Sequence, residues 1–145
     1  MNMPPPNTPV FGQQIDGVVY RDRPGAYALL ANARGELATI QTSYGLFLPG
    51  GGLDPGEDEK TGLAREIMEE MGHVLLEANA LGYAIQFTWS AFYQCHFKKV
   101  GAFYRVKTQA PPSARCAPGH TLLWVSPETA RAQLTQEFQR WAIGL

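Results

Sequence analysis

Residues 51–57 read GGLDPGE, and after seven further positions residues 65–72 read REIMEEMG. The first stretch is rich in glycine and contains a Pro-Gly step, a composition typical of a loop. The second has helical spacing, because Leu63, Ile67 and Met71 follow one another at intervals of four and would share one face. The sequence therefore predicts a glycine-rich loop that leads directly into an amphipathic helix.

Asp58 and Gly72 mark the ends of this helix, as N-cap and as the residue that ends it. Within it, Glu66, Glu69 and Glu70 are spaced i, i+3 and i+4, so we expect their carboxylates to converge beside the apolar face. Like charges at this spacing repel one another, and a hard divalent cation with oxygen ligands offsets the repulsion. The alternative is a solvated acidic face, which leaves the glycine loop unexplained.

The loop and helix together resemble the signature of the Nudix hydrolase family, which includes MutT-like proteins. The family pattern is Gly, five residues, Glu, seven residues, then Arg-Glu-apolar-any-Glu-Glu-any-Gly-apolar. Each fixed glycine or polar position from Gly51 through Gly72 matches it, and His73 departs from the aliphatic residue usual at the last position. Residues 48–51 (LPGG) and residues 124–128 (WVSPE) also fit the family.

The resemblance implies a hydrolase that cleaves a diphosphate linkage in a nucleoside diphosphate joined to another moiety. It implies Mg²⁺ as the cofactor, with Mn²⁺ as the alternative cation. The implied metal ligands are the backbone carbonyl of Gly50 and the carboxylates of Glu66, Glu69 and Glu70. One glutamate, most often the position of Glu66, would also polarise the attacking water, while Glu57 and Arg65 would keep loop and helix in register.

The central strands offer no further acidic ligand or base, since no Asp or Glu occurs between Glu77 and Glu128. This favours a site built mainly from residues 51–72. The family resemblance leaves several substrates open, with a compact nucleoside-triphosphate pyrophosphohydrolase ahead of an ADP-ribose or dinucleoside polyphosphate hydrolase. Two other classes also stay open: a non-catalytic nucleotide sensor of the same fold, and an isomerase acting on a prenyl diphosphate.

Aromatic side chains along the predicted strands are candidates for stacking on a nucleobase. At least half of them must be core, and we expect Tyr44, Phe47 and Trp89 to bind substrate. Lys98, Lys99 and Arg105 could neutralise phosphates, but the sequence favours the simpler interpretation that they keep an edge strand soluble.

The remaining segments predict a mixed sheet flanked by two helices, an α/β (α+β) fold. The family resemblance implies that this fold is the Nudix-type α/β/α sandwich. Predicted strands cover residues 14–21, 26–31, 36–42, 46–48, 80–85, 88–97, 102–108 and 121–125. A turn is expected at residues 32–35, a loop at residues 50–56, and a second helix from Pro127 to about Trp141, with Leu134, Phe138 and Trp141 facing inward.

Composition agrees with one domain. In 145 residues, 45% are hydrophobic, and the formal net charge of −1 does not favour an extended nucleic-acid partner. We expect a proline-rich flexible leader over residues 1–9 and a single domain over residues 10–145, with no membrane partner. The two cysteines have no metal-ligand spacing, so a cytoplasmic, reducing location is the expectation. The oligomeric state stays open.

Overall fold

The computed structural model describes residues 4–145, and its strands form two sheets. A five-stranded mixed sheet has the order β1-β6-β7-β2-β5, and a three-stranded antiparallel sheet has the order β4-β3-β8. The strands are β1 (Val10–Phe11), β2 (Arg21–Leu29), β3 (Leu37–Thr42), β4 (Gly45–Phe47), β5 (Gly50–Gly52), β6 (Val74–Ser90), β7 (Cys95–Gln109) and β8 (Thr121–Val125). The helices are α1 (Glu59–Met71), α2 (Pro127–Gln133) and α3 (Glu137–Ala142).

The two faces of the larger sheet carry separate cores. Leu63, Ile67 and Met71 of α1 are buried on one face, against small residues of β2 and β7. On the other face, Phe138 of α3 packs with Tyr27 and Phe103, with ring centroids 5.5–5.6 Å apart. Each such side chain stabilises the fold by roughly 1.5–3 kcal/mol on full burial. The predicted α/β/α arrangement with a mixed central sheet is confirmed.

Helix α1 begins and ends where the sequence predicts. The Asp58 side chain accepts a hydrogen bond from the Thr61 backbone N–H at 2.8 Å, which satisfies one of the free donors of the first turn. Gly72 ends the helix in the left-handed conformation, with φ 69°. These local signals fix where the three glutamates stand relative to the loop.

The predicted loop at residues 50–56 is wrong for its first three residues, which form strand β5 antiparallel to β2. Glycine permits this strand because two backbones approach too closely for side chains. Gly50 has φ 130°, and a Cβ atom there would overlap the Ala26 carbonyl oxygen. The edge of the sheet therefore runs directly into the loop that precedes α1.

The predicted strand at residues 88–97 is also wrong, because a turn at residues 91–94 divides β6 from β7. These two strands form one long hairpin that spans the predicted strands 80–85 and 102–108. The turn has no Gly, Pro or Asn-Gly step, and its left-handed residue is Gln94, with φ 53°. An aromatic run without these turn residues reads as a continuous strand.

The predicted strand at residues 14–21 is also wrong, since residues 14–20 are not in a strand and β2 starts only at Arg21. The expected turn at residues 32–35 does form, with the Asn32 side chain accepting from the Arg34 and Glu36 backbone N–H groups. It carries the chain from the first sheet into the second. The predicted leader extends over residues that lie partly outside the described ones; from Pro9 the chain joins the sheet, because Ile85 N–H donates to the Pro9 carbonyl.

The predicted helix from Pro127 to Trp141 is broken into α2 and α3 at residues 134–136. Ser126 caps its start as expected, and Leu134 and Phe138 are fully buried, whereas Trp141 is half-buried. The Arg140 guanidinium donates to the Leu134 carbonyl, one of the groups freed by the break. Among residues 4–145 no helix has the length and apolarity needed to cross a membrane.

Candidate active site

A cleft of about 600 Å³ lies at the edge of the larger sheet, and both sheets, α1 and α3 contribute to its walls. Strand β5 brings Gly50, Gly51 and Gly52 to this edge, and α1 rises immediately behind them. Glu66 and Glu70, one turn apart on α1, both line the cleft. The buried face of α1 points the other way into the core, so the helix presents its carboxylates beside the glycines.

Both glutamates are held against β5. The Gly50 backbone N–H donates to Glu70 Oε1 at 2.7 Å, and the Glu66 carboxyl lies directly beside Gly51. Burial, together with the neighbouring charges of Glu66 and Glu69, raises the pKa of Glu70 to about 8 against the lowering effect of the Gly50 hydrogen bond. Burial likewise raises the pKa of Glu66. In both carboxyl groups burial disfavours the charged form, and an added positive charge would favour it.

Glu69 does not line the cleft; 58% of its side chain is exposed, and its carboxylate meets Arg65 at 3.3 Å. Within the described part of the chain, no three Asp, Glu, His or Cys side chains are already arranged to hold a metal ion. The donor set still fits a hard divalent cation, because every side-chain donor is a carboxylate oxygen and the two inner ones repel each other in a half-buried cleft. The roles of Gly50, Glu66, Glu69 and Glu70 as ligands stay predictions.

Arg65 clamps the loop to the helix. Its Nε and Nη2 atoms each donate to Glu57 at 2.8 Å, a bidentate pair that lowers the pKa of Glu57 to about 2. The remaining N–H groups donate to the Gly52 carbonyl at 3.1 Å, to Glu66 at 3.1 Å and to Glu69 at 3.3 Å. All five donors of the guanidinium are therefore used within the protein, and Arg65 acts on the site by positioning the loop.

Replacing Arg65 by Lys should lower the melting temperature by several degrees and reduce hydrolysis by roughly 10-fold. A lysine has no planar fork, so it cannot hold Glu57 and Gly52 together, and a misplaced supporting shell typically costs about that much activity. Thermal unfolding and steady-state kinetics measure the two effects, with the exposed turn substitution Arg34→Lys as control. Unchanged unfolding of the Arg65→Lys protein would show that the loop is held by other contacts.

Aromatic side chains line the mouth of the cleft. Tyr44, Phe47 and Trp89, which the sequence selects as substrate-binding candidates, all contribute to its lining. Two further rings at the β6–β7 turn join them, since Phe92 lies 5.9 Å from Tyr44 and 4.8 Å from Tyr93 between ring centroids. Tyr44, Trp89, Phe92 and Tyr93 are all more than half exposed. The turn that the sequence missed therefore carries part of the aromatic wall.

Two cationic side chains also line the cleft, Arg23 and Lys99. Sequence reasoning did not consider Arg23, and the edge-strand role that it favoured for Lys99 is wrong, because β7 lies between β6 and β2. Arg23 stands on β2 and Lys99 on β7, in register with each other. Burial, together with the charge of Arg23, lowers the pKa of Lys99 to about 8. Only the parallel pairing of β2 with β7 brings these residues together, and nothing in the sequence signals that pairing.

A second cavity, of about 1120 Å³, lies beside the loop at residues 53–58 and the first turn of α1, and neither Glu66 nor Glu70 lines it. One of its several acidic residues, Glu59, accepts hydrogen bonds from the hydroxyls of both Tyr83 and Tyr104. The hydrogen-bonding capacity of this carboxylate is thus met within the protein, and we interpret the cluster as structural.

Comparison with known proteins identifies the family of this chain and supports the fold described above. A family model described as the NUDIX domain matches residues 18–142. No curated protein sequence matches the chain significantly. Among solved structures, a MutT protein from Methanosarcina mazei Go1 superposes with a TM-score of 0.67 at 21% identity, covering 86% of this chain and 94% of its own.

Two further structures show the same fold. A MutT NUDIX hydrolase from Burkholderia pseudomallei has a TM-score of 0.64 at 23% identity and covers 86% of this chain and 97% of its own. A NUDIX hydrolase from Nitrosomonas europaea has a TM-score of 0.62 at 20% identity and covers 86% and 90%. At these identities the likeness establishes the fold.

Proposed function

The chain belongs to the NUDIX domain family and has a MutT-like fold, and from this premise we propose that it is a divalent-cation-dependent hydrolase of a nucleoside diphosphate linked to another moiety. The observation that carries the proposal is the pair Glu66 and Glu70, whose carboxyl groups are held against β5 on the wall of the cleft. Mg²⁺ is the proposed cation, with Mn²⁺ as the alternative, and a nucleoside triphosphate is the favoured substrate. A cytoplasmic location stays a prediction.

The proposed ligands are Glu66, Glu69 and Glu70, with the Gly50 carbonyl. A bound divalent cation would screen the charge on the phosphate oxygens and make a water molecule more acidic. The chain's own contribution is positional: the Gly50 amide anchors Glu70, and Arg65 with Glu57 holds the loop against α1. This support keeps the carboxylates in place during the reaction.

Glu66 is the proposed base. Its carboxylate would accept a proton from the attacking water, whose oxygen forms the new bond to phosphorus. The bridging P–O bond breaks, and the products are a nucleoside monophosphate and the phosphorylated second moiety. When the substrate is a nucleoside triphosphate, that second product is pyrophosphate. The exposed rings of Tyr44, Trp89 and Phe92 at the cleft mouth offer faces on which a nucleobase would stack.

The test is product release from a substrate panel, with Mg²⁺, with Mn²⁺ and with EDTA. The panel contains ordinary and oxidised nucleoside triphosphates, ADP-ribose, nucleotide sugars and dinucleoside polyphosphates. We expect cation-dependent cleavage, fastest for a triphosphate. A folded protein that binds Mg²⁺ and cleaves none of these substrates would overturn the hydrolase assignment and favour the nucleotide sensor.

A further inference from the structure

Arg23 and Lys99 bring positive charge into the cleft from outside the loop and helix that carry the glutamates. They are neighbours across the parallel β2–β7 pair, so their side chains leave the sheet on the same face. Both line the cleft together with Glu66 and Glu70. The wall of the cleft therefore carries two carboxylates from α1 and, separately, two adjacent cations from β2 and β7.

Neither cation has a carboxylate partner within 4.0 Å among residues 4–145. Lys99 reaches the Gln136 amide oxygen at 3.4 Å, and the Arg23 guanidinium donates no hydrogen bond to a described protein group. Arg65, by comparison, uses all five of its donors. Two like charges side by side in a half-buried cleft are unfavourable by themselves, and an anionic ligand offsets that repulsion.

Arg23 is held in place although its donors are free. Its guanidinium lies 5.6 Å from the centre of the Tyr93 ring and 5.9 Å from that of Phe97, which places it in cation–π range of both. On its other side is Gly52, where a Cβ atom would overlap the guanidinium. The absence of a side chain at Gly52 therefore makes room for Arg23, and the charged group is pre-positioned for an anion.

The cations and the carboxylates reach the cleft from different sides of strand β5. Successive strand residues face opposite sides of a sheet, so Glu66, which lies beside Gly51, and Arg23, which lies beside Gly52, approach this edge strand from its two faces. Both side chains nevertheless line the same cleft. A polyphosphate held at the carboxylates through a cation would therefore have Arg23 and Lys99 within the same cleft to bind its other phosphates.

We propose that Arg23 and Lys99 form an anion subsite that binds a phosphate next to the cleaved linkage and so determines specificity. This inference rests on the proposed function and narrows its substrate class. The subsite selects substrates whose second moiety carries its own phosphate charge, as in a nucleoside triphosphate or dinucleoside polyphosphate. It disfavours those whose second moiety is neutral, as in a nucleotide sugar.

The kinetic test compares kcat/KM for a nucleoside triphosphate and a nucleotide sugar in Arg23→Gln, Lys99→Gln and Arg23→Lys proteins. A charge-assisted hydrogen bond contributes about 1.5–3 kcal/mol, so we expect Arg23→Gln to lower the triphosphate-to-sugar ratio about 10- to 100-fold. Arg23→Lys should recover part of it. Lys98→Gln is the matched control, since Lys98 adjoins Lys99 but lines the other cavity. An unchanged ratio, or a wild-type preference for the sugar, overturns the inference.

Binding separates this inference from the proposed function. Inorganic triphosphate is titrated into each folded protein by calorimetry in EDTA, which needs no catalysis. We expect binding by the wild type and by Lys98→Gln, and at least roughly 10-fold weaker binding by Arg23→Gln. Equal binding by all proteins, or none by the wild type, overturns the subsite. If the proteins bind triphosphate with these relative affinities but cleave no substrate, the subsite stands and the hydrolase assignment is overturned.

Discussion

Replacing Glu66 by Gln should lower kcat by about 10²- to 10⁴-fold, the usual loss when a general base is removed. Glutamine keeps the shape of the side chain and its amide oxygen can still accept from Arg65, which donates to Glu66 at 3.1 Å. It cannot take a proton from water, and it removes one charge from the proposed cation site. The measurement is steady-state hydrolysis of the preferred substrate at saturating Mg²⁺.

Circular dichroism and thermal unfolding establish that the Glu66→Gln protein is folded before its kinetics are interpreted. Glu128→Gln provides the control for loss of a glutamate charge, because Glu128 is exposed on α2 and lies outside the cleft lining. We expect this control to retain wild-type kcat. Full activity of the Glu66→Gln protein would show that Glu66 is not the base of the reaction.

Replacing Glu70 by Gln should stabilise the cation-free protein and abolish much of its response to Mg²⁺. Burial, with the charges of Glu66 and Glu69, raises the pKa of Glu70 to about 8 from an ordinary value of 4.5. Because the folded-state pKa is above the unfolded one, this carboxyl favours folding at low pH and loses that contribution as pH rises from 4.5 through 8. Glutamine retains the acceptor for the Gly50 N–H and has no such dependence.

We expect the unfolding free energy of the Glu70→Gln protein in EDTA to exceed that of the wild type by about 1–2 kcal/mol near pH 8. This difference is smaller than the full pKa shift would give, because the Glu70 carboxyl keeps some contact with water, which screens its charge. The difference should shrink towards pH 4.5. Adding Mg²⁺ should raise the wild-type melting temperature more than that of the variant, since a bound cation stabilises the folded state by mass action. Equal Mg²⁺ shifts in both proteins would exclude Glu70 as a ligand.

The fold and the helix of the site follow from local patterns. Asp58 and Gly72 set the ends of α1 through hydrogen bonds within a few residues, and the four-residue spacing of Leu63, Ile67 and Met71 sets its buried face. The contact between Glu57 and Arg65, which the family resemblance implies, is present at 2.8 Å. Such features depend on backbone geometry over one or two turns, which sequence spacing describes directly.

Errors occur where local pattern and long-range pairing disagree. Residues 50–52 resemble a loop because glycine weakens strands, yet they form β5 because β2 approaches too closely for side chains. The aromatic run at residues 88–97 resembles one strand because its turn lacks Gly and Pro. In both places the deciding partner is distant along the chain.

The sequence by itself determines the family, the mixed sheet with helices on its two faces and the glutamates of α1, because these depend on short-range spacing and composition. Only the tertiary structure decides which carboxylates face the cleft: Glu66 and Glu70 line it, whereas the more exposed Glu69, which contacts Arg65, does not. It alone also sets Arg23 beside Lys99 and carries the β6–β7 turn to the cleft mouth. The physical reason is that strand register joins residues 76 positions apart, and no local propensity encodes that pairing.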